Sequence, residues 1–174
     1  MTNFTAQFMG FAGLFMAVVS FQKKYHKGIL FYQVLACAFF IAHFIMLGAY
    51  SGAIMNFMAA ARNAVFYHRD KSWASGKIWL PFFIASITIA GLVAWKNAYS
   101  LLPAAALIIS TIGFWMKNPT HTRLISLIPS PCWFAYNLVS RSIAGMVTEI
   151  FIMTSLVVGI VRFDVMKKPE RQQA

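Results

Sequence analysis

Few side chains in this sequence have acid–base or strong polar chemistry, and the most informative of them lie inside long apolar runs. Glu149 is the only acidic residue within any such run, about 6–8 Å from its start by helical rise. Arg62 lies about 15 Å along another, counted the same way, which is near its middle. His43 has a depth similar to that of Glu149, and Asn56, Asn63 and Asn137 add neutral polar groups. Ionisable side chains in hydrocarbon are costly, so each is a candidate for function. Glu149 and Arg62 together predict a polar cavity in which a carboxylate and a guanidinium form a coupled pair. Asn56, Asn137 and His43 would complete a site for a small polar or charged solute. His43 titrates in a range suited to proton coupling. The alternative is that these groups join helices to one another, as polar side chains often do in bundles. Asn56, Ala60, Asn63 and Tyr67 recur at helical spacing and predict one polar face.

Pro129 and Pro131 interrupt the apolar run that holds Trp133 and Asn137. Proline removes a helical hydrogen bond and crowds the preceding turn, so a kink is expected there. That kink, with Trp133 after it, is a candidate gate; a fixed bend is the alternative. Enzyme signatures are missing: no His-x-x-x-His, no paired intramembrane Asp, no Gly-x-Ser-x-Gly and no glycine-rich phosphate loop occurs. Cys37 and Cys132 sit in apolar runs away from histidines and read as packing residues, not metal ligands. The chain is expected to be neither an enzyme nor a carrier of a metal or other cofactor.

The elements that must position these residues follow from composition. Of 174 residues, 60% are hydrophobic and 11% charged, and the mean hydropathy is +0.67. A soluble domain usually has about a quarter of its residues charged. The chain is too short to hide 17 Phe and 5 Trp in a core, which leaves lipid as the solvent. Apolar runs span 4–21, 29–49, 52–67, 77–95, 99–116, 122–141 and 144–163. Most reach the roughly 17–20 residues that a bilayer-crossing helix requires. The third is the shortest and carries Arg62. Runs two and three, joined at Tyr50–Gly52, and runs six and seven, joined at Ser142–Ile143, predict tight hairpins. The first run has no basic residues before it and reads as a retained span, not a cleaved signal.

The net charge of +11 comes from basic residues placed between the runs, not from one continuous patch, which argues against nucleic acid. Twelve of them fall in the alternating connections 22–28, 68–77 and 117–123, which overlap the ends of the runs, and in the tail after 161: Lys23, Lys24, Lys27, Arg69, Lys71, Lys77, Lys117, Arg123, Arg162, Lys167, Lys168 and Arg171. Lys96 and Arg141 fall on the other set. The split predicts an N-terminus outside and a C-terminus in the cytoplasm.

A shift of 93 residues lays 10–69 on 103–162 without a gap, with eight identities in sixty. Gly52 then falls on Gly145, Asn56 on Glu149 and Arg69 on Arg162. The expected fold is an all-α membrane protein of seven transmembrane helices. Two parallel three-helix units, 4–67 and 99–163, are joined by a linker helix at 77–95 in one integral domain over 1–174, with a cytoplasmic tail at 164–174.

Several stretches resemble the YgjV-type bacterial inner membrane proteins over about residues 10 to 165. They are His43-Phe44 with Leu47-Gly48 and Tyr50, then Arg62, Cys132-Trp133 with Asn137, Ser142-Ile143 with Gly145 and Glu149, and Ile160-Val161-Arg162-Phe163. The resemblance implies an inner-membrane location and a relation to the MtN3-like group of SWEET, PQ-loop and KDEL-receptor proteins. It further implies that Asn56 and Glu149 stand where the SWEET substrate site has paired asparagines. The sequence departs from that group in lacking any Pro-Gln dipeptide and in having no proline in its first run, and Glu149 replaces one asparagine. These departures weaken the case for a neutral sugar. The expected function is alternating-access transport of a small polar or charged solute, or a receptor or scaffold of the same fold. The expected partners are the lipid bilayer and that solute, with homo-oligomerisation left open.

Overall fold

The structure is a computed structural model and describes residues 4–166. Its architecture is wholly helical among those residues. Helix α1 covers Phe4–Phe21, α2 His26–Met46, α3 Tyr50–Tyr67, α4 Trp79–Val93, α5 Leu102–Trp115, α6 Pro119–Ser126, α7 Pro129–Val139 and α8 Ile143–Ile160. A wider π turn over Val161–Val165 extends α8. Lys167, Lys168, Arg171 and most of the 164–174 tail lie outside the described residues.

The polarity of the molecule is reversed relative to a soluble domain. Arg62, Arg123, His43, Asn63, Thr111 and Thr122 are among the most buried side chains, whereas Phe4, Phe8, Phe11 and Phe15 on one face of α1 are exposed. Ile89, Leu92, Phe151 and Val157 are exposed likewise. Such an apolar exterior is stable against lipid and aggregates in water. By length and apolarity, Phe4–Phe21, His26–Met46, Ala98–Trp115 and Ile143–Val165 suffice to cross a membrane. Trp79–Val93 is apolar but shorter.

Two sequence expectations need correction. The run at 122–141 is not one kinked helix but two helices, α6 and α7, separated by Leu127 and Ile128. The N–H groups of Leu127 and Ile128 bond three residues back, to Leu124 at 3.3 Å and Ile125 at 3.1 Å. Pro129 and Pro131 supply no N–H to continue the ladder, so the helix stops and restarts with Pro129 in its first turn. The hairpin turns also come earlier than expected. They occupy Leu47–Ala49 and Ser140–Ser142, and Tyr50 and Ile143 are already helical.

Both turns use the same device. Gly48 has φ +67° and Arg141 φ +52°, the positive-φ residues among those described. Ala49 N–H bonds Phe44 O and Gly48 N–H bonds Ile45 O; Ser142 N–H bonds Asn137 O and Arg141 N–H bonds Leu138 O. This is a Schellman closure of the helix C-terminus, repeated at a separation of 93 residues.

The helices neighbour one another in a closed ring: α1 packs on α2, α2 on α3, α3 on α5, α5 on α7, α7 on α8, and α8 on α1. Helix α4 lies against α3 and α5, and α6 joins α5 to α8. The ring has two ends. One carries the 48 and 141 turns and is called the turn end. At the other, α6 contributes Arg123, which bonds the carbonyls of Phe21 and Lys23 and the carboxylate of Asp164. Lys27 pairs with Asp70, and Arg69 donates to the carbonyl of Trp115 at this same basic end.

Candidate functional site

The ring encloses a cavity with about 110 Å³ of water-accessible space. Glu149, Arg62, Asn56 and Asn137 line it, and so do Pro129 and Trp133. The sequence therefore brought four of five candidate binding residues and two of three candidate gating residues to one place.

His43 and Pro131 are not on the cavity wall. Pro131 is exposed on the far side of α7. His43 is fully buried, with Nδ1 at 2.7 Å from the Ala6 carbonyl and Nε2 at 2.8 Å from Ser142 Oγ. A carbonyl can only accept, so Nδ1–H donates to it; in the neutral ring Nε2 then accepts from the Ser142 hydroxyl. Ser142 Oγ also accepts the N–H of Gly145, capping α8. His43 thus ties α2 to α1 and to the start of α8. The predicted polar face of α3 shifts too: Asn56, Ala59 and Arg62 meet the cavity, whereas Ala60, Asn63 and Tyr67 do not.

Arg62 and Glu149 share the cavity without forming an ion pair, which corrects the expected coupled pair. The ion pairs among the described residues are Lys27–Asp70 and Arg123–Asp164. Arg62 spends its donors on neutral acceptors. Nε and Nη2 donate to Asn63 Oδ1 at 3.1 and 2.9 Å, and Nη1 donates to Thr111 Oγ1 at 2.9 Å and the Leu107 carbonyl at 3.3 Å. The guanidinium lies over the Phe114 ring, 4.9 Å from its centroid. Guanidinium stays charged and its fork satisfies several acceptors at once, so hydrogen bonds support its burial here although no anion balances its charge. Glu149 has the Ser130 hydroxyl as a polar neighbour on the same wall.

Sequence reasoning missed Gln33, Ser110, Ser126 and Ser130, all of which line the cavity. Ser126 is buried and its hydroxyl has no protein partner. Cys37, read as packing, also faces the cavity. The cavity wall follows the 93-residue register. Nine pairs on the wall obey it: Ala17 and Ser110, Phe21 and Phe114, Gln33 and Ser126, Ala36 and Pro129, Cys37 and Ser130, Phe40 and Trp133, Phe44 and Asn137, Asn56 and Glu149, Ala59 and Ile152.

The ties around the cavity follow the same register. His43 and Tyr136 are 93 residues apart. His43 reaches the start of α8, and the Tyr136 hydroxyl reaches the start of α3, at 2.8 Å from Ser51 Oγ and 2.9 Å from the N of Gly52. Further along, Arg62 bonds Thr111, and its counterpart Ser155 donates to the carbonyl of Val18, the counterpart of Thr111, at 2.9 Å. Each tie joins the 4–67 segment to the 102–160 segment.

Comparison with curated proteins gives no match, and comparison with solved structures gives none. The profile of the Imp-YgjV family, described as bacterial inner membrane protein, matches residues 4–167, and the chain belongs to that family.

Proposed function

We propose that this inner-membrane protein moves a small polar or charged solute through the central cavity by alternating access. The chain crosses the membrane seven times, N-terminus outside, as two parallel three-helix units (α1–α3, and α5 with α6–α8) joined by α4. The observation that carries the reading is the cavity wall: nine pairs of lining residues stand 93 positions apart, the separation the sequence already suggested. Exchanging α1, α2 and α3 for α5, α7 and α8 also leaves the ring of neighbours unchanged. Parallel repeats around a midplane site are a known transporter plan.

Ties between the units support a two-state cycle. His43 and Tyr136 hold the units together at the turn end, and Arg123 and Arg69 hold them at the basic end. Breaking one set while keeping the other would open the cavity to one side only. The basic residues of the connections gather at the end that the charge rule assigns to the cytoplasm.

The test is flux. Purified protein in proteoliposomes is expected to speed uptake of a small polar solute, and substitutions at Glu149 or Arg62 to abolish it. A reporter after Ala174 should be active in the cytoplasm and one at Asn97 outside. Absence of flux for a broad solute panel, with a protein partner retained on gentle solubilisation, would replace transport by a receptor or scaffold role.

A further inference from the structure

Resting on the transport reading, we infer that the cavity solute is a small zwitterion, carrying an ammonium and a carboxylate close together. The wall holds one guanidinium and one carboxyl, Arg62 and Glu149, and neither is matched by an opposite charge among the described residues. Each donor bond of Arg62 goes to a neutral acceptor, and Glu149 is met by the neutral Ser130. A buried charge without a counter-charge is costly, so a ligand that supplies both signs gains where a singly charged one leaves a group unmatched.

The two ionisable side chains stand across the cavity on different helices, Arg62 on α3 and Glu149 on α8. Cys37 and Ser130 are 93 positions apart on α2 and α7 and both line the cavity. Arg62 and Glu149 belong to positions about 9 Å apart along the helix axes by rise, a gap that their long side chains and a ligand between them can bridge. An ammonium placed toward Glu149 and Ser130 leaves its carboxylate toward the Arg62 guanidinium, whose fifth N–H, on Nη2, is not taken by a neighbour. The remaining wall beside Cys37 and Ser130 is apolar and aromatic, with Phe40 and Trp133 one turn away. Ser126, whose hydroxyl is buried without a partner, offers a further donor to the same solute. The cavity, with about 110 Å³ of space open to water, suits a small ligand.

The experiment titrates full-length protein with a matched series: L-alanine, propionate (no ammonium), ethylamine (no carboxylate) and D-glucose (no charge). L-alanine is expected to bind at least about tenfold more tightly than the other three, since an unmatched buried charge costs that much or more. In Glu149→Gln the affinity for L-alanine should fall to that for propionate, and in Arg62→Gln to that for ethylamine. Equal binding of any comparison compound, or no binding across the series, overturns the proposal. If a variant does not fold, the wild-type series and Ser130→Ala decide, the latter weakening L-alanine and ethylamine but not propionate. L-alanine binding without flux would overturn transport and leave the zwitterion site standing. Glucose flux that depends on Glu149 would do the reverse.

Discussion

The segments α1–α3 and α5–α8 agree in their backbone devices and differ in their chemistry. Both close the second helix with a left-handed residue, at Gly48 and Arg141. Both send a side chain across to the other segment's last helix, from His43 and Tyr136, and both tie that last helix to the other segment's first. Yet α2 is continuous where its counterpart is broken into α6 and α7. Arg62 stands opposite Ser155 in the register, and Glu149 opposite Asn56. Each segment therefore contributes one ionisable group, one basic and one acidic, at positions that are not equivalent. A cavity lined by the same residues twice would have placed like charges face to face. The split sign gives the cavity a polarity that its scaffold lacks.

The comparison breaks most severely at Arg62 and Ser155, which occupy equivalent places between the segments. Arg62→Gln strands Asn63 and Thr111, and the Nδ2 of Asn63 already lacks a protein partner. A hydrogen bond from a charged donor is worth about 1.5–3 kcal/mol, and Arg62 makes four. Ser155→Ala removes a neutral tie to the Val18 carbonyl and one to Gln22, a loss of about 1–2 kcal/mol. Melting in detergent should rank Arg62→Gln well below Ser155→Ala, and equal losses would show that the equivalence is positional only.

The paired glycines give the next effect. A Cβ on Gly145 would lie 2.3 Å from Asn137 Oδ1 and 2.5 Å from Ser142 Oγ, whereas on Gly52 it would meet Phe44 and Tyr136 ring carbons at 3.0 Å. Gly145→Ala must displace a cavity residue and the hydroxyl that caps α8, costing about 1–3 kcal/mol by overpacking. Gly52→Ala asks only for a small ring shift. The former should lower the melting temperature and weaken solute binding together; the latter should leave binding nearly intact.

Much of this was legible in the sequence because lipid makes helices read as apolar runs and makes buried charge rare. Glu149, Arg62, Asn56 and Asn137 were identified by depth alone. Depth gives height along a helix but not which way a side chain faces, and so His43, at the right height, turned out to face α1 and α8. Ser130 and Ser126 were passed over because one hydroxyl in an apolar helix is usually satisfied by its own backbone. The break at Pro129 read as a bend, since the sequence shows the missing N–H but not whether packing closes the gap. Only the packed ring shows that α6 leaves to hold α1 and α8 through Arg123.

The smallest expected effect is also the most direct test of the shared turn. Gly48 and Arg141 occupy the same step of the same hydrogen-bonded closure, with φ +67° and +52°. A side chain at positive φ costs about 1 kcal/mol or somewhat more because its Cβ crowds the following carbonyl, and glycine escapes that cost. No atom lies within 4 Å of a Cβ built on Gly48, so a substitution there meets only backbone strain. Gly48→Arg should therefore destabilise the protein, and Arg141→Gly should stabilise it, each by about 1 kcal/mol. Exchanging both should leave the melting temperature close to that of the wild type, since the strain moves from one segment to the other. A double variant far from that value would mean that the two turns carry different loads, with Arg141 held by a contact that Gly48 has no need of.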